Sequence, residues 1–384
     1  MSTRAPVRVA FAKPSIGEEE IAEVAATLRS GWIAAGPRTA KFEERFRDLI
    51  TCKHAVATSS CTGALHIAYT LMDARGGEVV MPVMTFAATA LAAIHTGAKP
   101  IFVDIDDDTM NVNVSQVEAA IGSSTRVLVG MHYAGLPCDM GTLRALADKH
   151  RLGLLEDDAH AIGTKWHGRP AGSIGDAGAF SFYANKNFTT VEGGMFTTSR
   201  DDFAARARAL RLQGMSRDAW RRDEAASWRY DVVEAGFKYP MNDVQAAVGL
   251  VQLDRLTAWQ ARRGELATLY RKGLTGIDGL RLPPEASAED THGNHLFVVR
   301  VDPKRVGRDR LSVALRERGI ETSVHFTPLH LHPYFQQTWG TASGQFPVAE
   351  RAFSEILSLP MHQGMTDEDV GFVSDEVRNV LKLG

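Results

Sequence analysis

The sequence predicts an α/β fold: a large, mostly parallel sheet sandwiched by helices, followed by a smaller C-terminal α+β domain. Three observations carry this. Short apolar segments alternate with helical ones from about residue 55 to residue 200. Within that stretch an apolar run at 127–131, an amphipathic run at 143–150 and an apolar run at 152–155 follow in βαβ order. Such a unit lays parallel strands under a crossover helix and covers both faces of the sheet. Finally, Asn242-Asp-Val-Gln245 reads as a capping box opening a long helix, with Val244, Ala247, Val248, Val251 and Leu256 on one side. That helix should leave the large domain, dividing the chain into residues 1–257 and 258–384. The second part contains one clear strand, at 295–301, among helices.

Bulk properties agree. A chain of 384 residues, 44% hydrophobic, is long enough for two cores. Lys and Arg number 43 against 46 Asp and Glu, so no basic excess points to nucleic acid or an anionic membrane. No apolar run approaches the ~20 residues of a membrane span. The N-terminus shows no apolar secretory core. Three cysteines, Cys52, Cys61 and Cys138, show no paired spacing. These readings place the chain in a reducing cytoplasm.

The elements can be justified in order. Residues 55–58 form a short strand, Ser59-Ser60-Cys61-Thr62-Gly63 a small-residue turn, and 65–72 a helical run. A turn of this kind leaves backbone N–H groups free at the positive end of the helix, which suits a phosphate. The hydroxyls of Ser60 and Thr62 add donors, and Gly63 permits close approach. The alternative is an ordinary Ser/Thr cap. A second strand, at 78–82, ends near Thr85-Phe86. Phe86 can lie on a cofactor ring face or simply join the core.

The strand at 152–155 runs into Glu156-Asp157-Asp158-Ala-His160. In open α/β sheets ligands bind at the carboxyl ends of strands. A carboxylate there can pair with a cationic ring nitrogen, and Asp157 is the best placed. Otherwise these acids are strand-end solubilisers and caps.

Residues 177–183 are apolar and aromatic, and 195–198 form the next strand. Lys186 lies on the connection between them. Most lysines snorkel to the surface. One held between two interior strands is desolvated, has a lowered pKa, and becomes the nucleophilic amine that Schiff-base chemistry needs. Ser181 is a further candidate phosphate donor. His325, His330 and His332 are spaced by five and two, unlike the helical pair of a zinc hydrolase, and no metal site is expected. Gly172, Gly175 and Gly178 lack dinucleotide-loop spacing and precede a strand.

In chain order these pieces resemble the DegT/StrS-type sugar aminotransferases, a branch of the fold type I pyridoxal phosphate enzymes. The motifs are Thr62-Gly63, Thr85-Phe86, Glu156-Asp157-Asp158-Ala-His160, Ser181-Phe-Tyr-Ala-Asn-Lys186-Asn, Glu192-Gly-Gly194 and Gly236-Phe-Lys-Tyr-Pro-Met-Asn-Asp243. The resemblance runs from about Phe11 to the C-terminus and includes Gly31-Trp32, His132-Tyr-Ala-Gly135 and Ser323-Val-His-Phe-Thr-Pro-Leu-His330.

The resemblance implies roles. Lys186 forms the Schiff base with pyridoxal 5'-phosphate and later moves the proton. Asp157 pairs with the pyridine nitrogen. Phe86 stacks on the ring and His160 lies beside it. Ser60, Thr62, Gly63 and Ser181 hold the phosphate. Trp32, Tyr183, His325 and His330 belong to the substrate mouth. The chain departs from the family pattern at Lys238, where Asn is common, and at Pro240, where Asn or Arg is usual. The segment around Lys238 implies a phosphate contact from the partner in a homodimer with shared sites. Relatives with His in place of the lysine remove a hydroxyl, so Lys186 favours amine transfer. The implied reaction moves an amino group from an amino acid, L-glutamate above all, to a keto sugar. The segments at 132–135 and 236–239 look most like members that aminate C4 of UDP-sugars. The rivals are an aminotransferase for a cyclitol ketone and a cofactor-binding regulator without turnover.

Overall fold

The computed structural model describes residues 6–216 and 230–382. Seven strands form the main sheet: β1 (His54–Thr58), β2 (Glu78–Pro82), β3 (Lys99–Val103), β4 (Thr125–Met131), β5 (Gly153–Asp158), β6 (Ala177–Ser181) and β7 (Gly194–Thr198). Their order is β1-β7-β6-β5-β4-β2-β3. Pairing is parallel from β6 through β5, β4 and β2 to β3, while β7 runs antiparallel to both β6 and β1. The expected mostly parallel sheet is therefore present.

Helices cover both faces. α3 (Cys61–Leu71) and α4 (Ala87–Thr96) pack over one, building a core with Val56, Met81, Val129, Leu155 and Phe196. α2 (Pro37–Ile50) brings Phe42 and Phe46 to the other, against Phe180, Phe182 and Phe188. α6 (Met140–His150) starts three residues before the amphipathic run, because Asp139 caps it by accepting the Thr142 N–H at 3.0 Å.

The long helix, here α8, spans Asp243–Leu274. Its capping box is present: Asn242 Oδ1 accepts the Gln245 N–H at 2.9 Å, and the Gln245 side chain accepts the Asn242 N–H at 3.1 Å. It does not bury one stripe. Ala246, Ala247, Val248 and Leu256 are buried, but Val244 and Val251 are only half-buried. The physical reason is that α8 is gripped from several directions. Gly249 lies against Phe42, Gln252 reaches Glu20 of α1 (Glu18–Ser30), and Gly273 meets Ser374 of the C-terminal helix Asp367–Lys382. The helix runs unbroken through position 257, and its last turns join a second core. Leu266, Tyr270 and Leu274 there pack with Phe297, Val299, Leu357 and Val377 around a small antiparallel sheet. Val9, from the N-terminal arm, enters this second core and bridges to Ile320. Among the described residues, no helix is long and apolar enough to cross a membrane.

Candidate active site

A cavity of about 310 Å³ opens at the carboxyl ends of β5 and β6.

The floor is Asp157, 3% exposed. Side chains alternate along β5, so Asp157 faces the cavity while Glu156 and Asp158 point to the other face. Thr89 Oγ1, from the first turn of α4, donates to Asp157 Oδ2 at 2.6 Å, and the Ala159 N–H donates to Oδ1 at 3.2 Å. Thr89 has one hydroxyl hydrogen. Thr85, 2.8 Å away, must then donate to Thr89. Burial pushes the Asp157 carboxyl up; the Thr89 hydroxyl, the Ala159 N–H and the charge of Lys186 pull it back.

Lys186 lies on the turn between β6 and β7, its N–H bonded to Tyr183 O at 3.0 Å. Phe182 and Phe188 anchor this turn in the aromatic cluster. Asn187 fixes its underside by donating to Gly293 O at 2.7 Å and to Gln260 Oε1 at 3.0 Å. Lys186 is half-buried: part of its surface meets the cavity and the rest packs against protein. This burial pushes the ammonium down to about 8, against the opposing pull of Cys61 and Asp157.

The opposite wall is the start of α3. Ser60 caps the helix by accepting the Gly63 N–H at 3.1 Å. The helix therefore begins four residues earlier than the apolar run at 65–72 suggests. First-turn N–H groups have no helical acceptor, and the first-turn residues Cys61 and Thr62 line the cavity. Ser60, Thr62 and Ser181 all line the cavity. Gly63 does not: its open side faces the Tyr239 ring, 3.1 Å from where a Cβ would stand. The glycine that shapes the cup is Gly194, where a Cβ would fall 2.4 Å from the Ser60 carbonyl carbon.

Phe86, 60% exposed, caps α4 and faces the cavity rather than the core. His160 stacks on Phe326 with ring centres 5.6 Å apart and leans on His295 at 4.4 Å. Burial pushes the His160 and His295 imidazoles well down and that of His325 to about 4, so all three are neutral. His325 and Tyr183 stand at the mouth.

Besides Gly63, three expected site residues are not brought to the cavity. His330 is fully buried, with Nε2 2.8 Å from Glu350 Oε1 and its ring on Phe346; the short helical turn Leu329–Leu331 directs it into the core. Trp32 folds over Gly36 and donates to Ala35 O at 3.3 Å. Lys238 is exposed and does not line this chain's cavity. Sequence reasoning missed Thr89, Asn187 and Phe326. Thr85 and Thr89, four apart on a strand-to-helix turn, were the available signal for the first.

The donor set fits pyridoxal phosphate: a buried carboxylate, a half-buried amine and a helix N-terminus border one cavity, with a phenylalanine and an imidazole in its lining. This chain belongs to the DegT/DnrJ/EryC1/StrS aminotransferase family, whose model matches residues 14–378. It is 45% identical over 377 residues to the spore coat polysaccharide biosynthesis protein SpsC of Bacillus subtilis, covering 97% of each chain. The sugar aminotransferase Spr1654 of Streptococcus pneumoniae, described as putative and solved in its PMP form, superposes with a TM-score of 0.92 at 32% identity, covering 97% of this chain and 99% of that one. DesI, solved in the presence of its TDP-sugar product, gives a TM-score of 0.86 at 34% identity, covering 97% and 92%. The chain is a pyridoxal phosphate-dependent sugar aminotransferase of fold type I.

Proposed function

We propose that the enzyme moves an amino group from L-glutamate to the 4-keto carbon of a nucleotide-linked sugar, with a UDP-sugar as the favoured acceptor. The observation that carries this reading is the shared cavity of Lys186, Asp157 and the α3 N-terminus. When bound, pyridoxal phosphate supplies the electron sink that lets a proton leave the substrate carbon. The chain supplies the rest. Lys186 Nζ, its proton affinity lowered to about 8, accepts that proton and returns it. Asp157 would pair with the cofactor's ring nitrogen and keep it protonated. Phe86 and His160 would pack against the ring, while Ser60, Thr62, Ser181 and the first-turn N–H groups would hold the phosphate. Tyr183 and His325 border the sugar. His325 belongs to the part after residue 257, so we assign cofactor binding to residues 1–257 and closure of the mouth to 258–384.

The nucleotide reading draws support from DesI and its TDP-sugar product. The C4 and UDP preferences rest on the segments at 132–135 and 236–239. A cyclitol ketone is the alternative acceptor. The test is sequential. Glutamate should bleach the coloured holoenzyme with release of 2-oxoglutarate. The bleached enzyme should then aminate a member of a nucleotide keto-sugar panel, read by product mass. Bleaching followed by amination of cyclitol ketones alone would overturn the sugar-nucleotide assignment.

We also propose a homodimer acting in the cytoplasm. Among the described residues, Lys186 is the only lysine or arginine lining the cavity, so they give the phosphate cup no other cation. Lys238, exposed beside the Tyr239 ring that covers Gly63, is the group offered to a neighbour's cup. Such a charge-assisted contact contributes about 1.5–3 kcal/mol. Mixing Lys186→Ala chains with Lys238→Glu chains should regenerate one working site per heterodimer. Heterodimers that form without any activity, from a Lys238→Glu parent that is itself inactive, would refute shared sites.

A further inference from the structure

Strand β5 ends in Glu156, Asp157 and Asp158, exposed by 0%, 3% and 0%. Three adjacent carboxylates buried this deeply cannot all be ionised without compensating charge. Hydrogen bonding shows how the burden is divided. Glu156 accepts the Ile174 N–H at 2.7 Å and the Gly175 N–H at 2.6 Å on one oxygen, and the Gly172 N–H at 3.0 Å on the other. That is the bonding of an ionised group. Asp158, on the same face, has no hydrogen-bond partner for either oxygen among the described residues. The Ala179 N–H leans toward it without making a bond of normal geometry.

Among the described residues, His132 is the only nearby group that could neutralise a second anion, and its geometry forbids this. Its Nδ1 accepts the Cys138 N–H at 3.0 Å and so carries no proton. The single ring proton is on Nε2, which lies 3.4 Å from Glu156 Oε2 and 3.5 Å from Asp158 Oδ1. No other element among the described residues brings a cation. α3 contributes the Cys61 thiol, β6 the bare backbone of Gly178, and β7 the Thr197 hydroxyl, which is spent on Gly172 O at 2.8 Å. Lys186 acts on Asp157 from the cavity side.

We infer that Asp158 is a neutral carboxylic acid at physiological pH, a positioning residue whose retained proton leaves Asp157 as the anion facing the cofactor cavity. Burial and the neighbouring carboxyls of Glu156 and Asp157 all raise the proton affinity of Asp158. A second charge directly behind Asp157 would raise the proton affinity of Asp157 too and weaken its hold on a cationic ring nitrogen.

The test uses proton linkage in the holoenzyme. An unfolded Asp ionises near pH ~3.9, whereas folded Asp158 keeps its proton. The native state then binds one more proton than the unfolded state, and stability falls with rising pH until the folded group ionises. Asp158→Asn keeps the shape and removes this dependence. The melting temperature of the variant relative to wild type should climb between about pH 5 and about pH 8, by roughly 2 °C or more. A constant difference, or a variant that loses ground as pH rises, overturns the inference. His132, Glu156 and Asp158 also offer ligand atoms within 4.8 Å of one another. Stabilisation of wild type but not Asp158→Asn by zinc or magnesium chloride would therefore assign the site to a cation and overturn it as well. Nitrogen NMR of wild-type histidines gives a measurement independent of the variant's folding. His132 should be protonated on Nε2 alone near neutrality, and a ring protonated on both nitrogens refutes the assignment.

Discussion

Thr89 Oγ1 donates to Asp157 Oδ2 at 2.6 Å across 68 residues of chain. The contact joins the first turn of α4 to the end of β5, and it orients the carboxylate assigned to the ring nitrogen. Asp157 has one other donor, the Ala159 N–H, so the hydroxyl matters. Thr89→Val keeps the shape and leaves a buried acceptor unpaired, at about 1–3 kcal/mol. Cofactor affinity should fall by roughly tenfold, measured as the dissociation constant from absorbance titration. Thr89→Ser should restore most of it. Equal behaviour of Val and Ser would show that the hydroxyl has no such role.

Lys186→Ala should abolish turnover and the covalent label left by borohydride, while the far-ultraviolet spectrum stays native. Peptide mapping of the reduced holoenzyme locates the label. Its appearance on Lys165 or Lys238 would overturn the assignment.

The lowered titration of Lys186 has a pH consequence. A folded-state value of about 8 lies below the ordinary ~10.4 of an unfolded lysine. The unfolded state then binds more protons between these values, so stability rises with pH through that window. In cofactor-free protein, Lys186→Met should raise the melting temperature at about pH 7 and lose that advantage toward about pH 10. Amine labelling of Lys186 should show a midpoint near the lower value.

Asp157→Asn should retain the cofactor and lower kcat by roughly a hundredfold or more, the rate equivalent of about 3 kcal/mol. Asp158→Asn should cost far less. The comparison needs only steady-state rates on one substrate pair, and equal losses would mean the ring partner has been misplaced.

The two glycines near the cup should differ. Gly194→Ala drives a methyl to 2.4 Å from backbone and must shift the Ser60–Cys61 peptide. Gly63→Ala meets the Tyr239 ring at 3.1 Å, which can give way. Overpacking of the first kind costs about 1–3 kcal/mol. It should also weaken binding of inorganic phosphate to the cofactor-free enzyme, whereas Gly63→Ala should leave the cup usable. Calorimetric titration with phosphate decides between them.

Local pattern alone determined much of this protein. Alternating apolar and amphipathic segments specified a parallel sheet under helices, because the periods of strand and helix are written in neighbouring residues. The Asn242–Gln245 box announced α8 for the same reason, since a cap is made within four residues. The places of Lys186, Asp157 and the Ser60–Thr62 turn at strand ends were legible locally, but each had an ordinary alternative there, and only the resemblance of the ordered motifs implied their roles. Contacts between distant segments were not legible. Whether His330 faced the cavity or Glu350 depended on how the turn Leu329–Leu331 docks, and no local period encodes that. Gly63 and Gly194 look alike as glycines in turns, but which one lies under the cup follows from β7 pairing with β1. The Thr89 bond to Asp157 and the unpartnered Asp158 likewise exist only once α4, β4 and β5 are packed together. Sequence sets the elements through near neighbours, and tertiary packing sets which polar atoms meet after water is excluded.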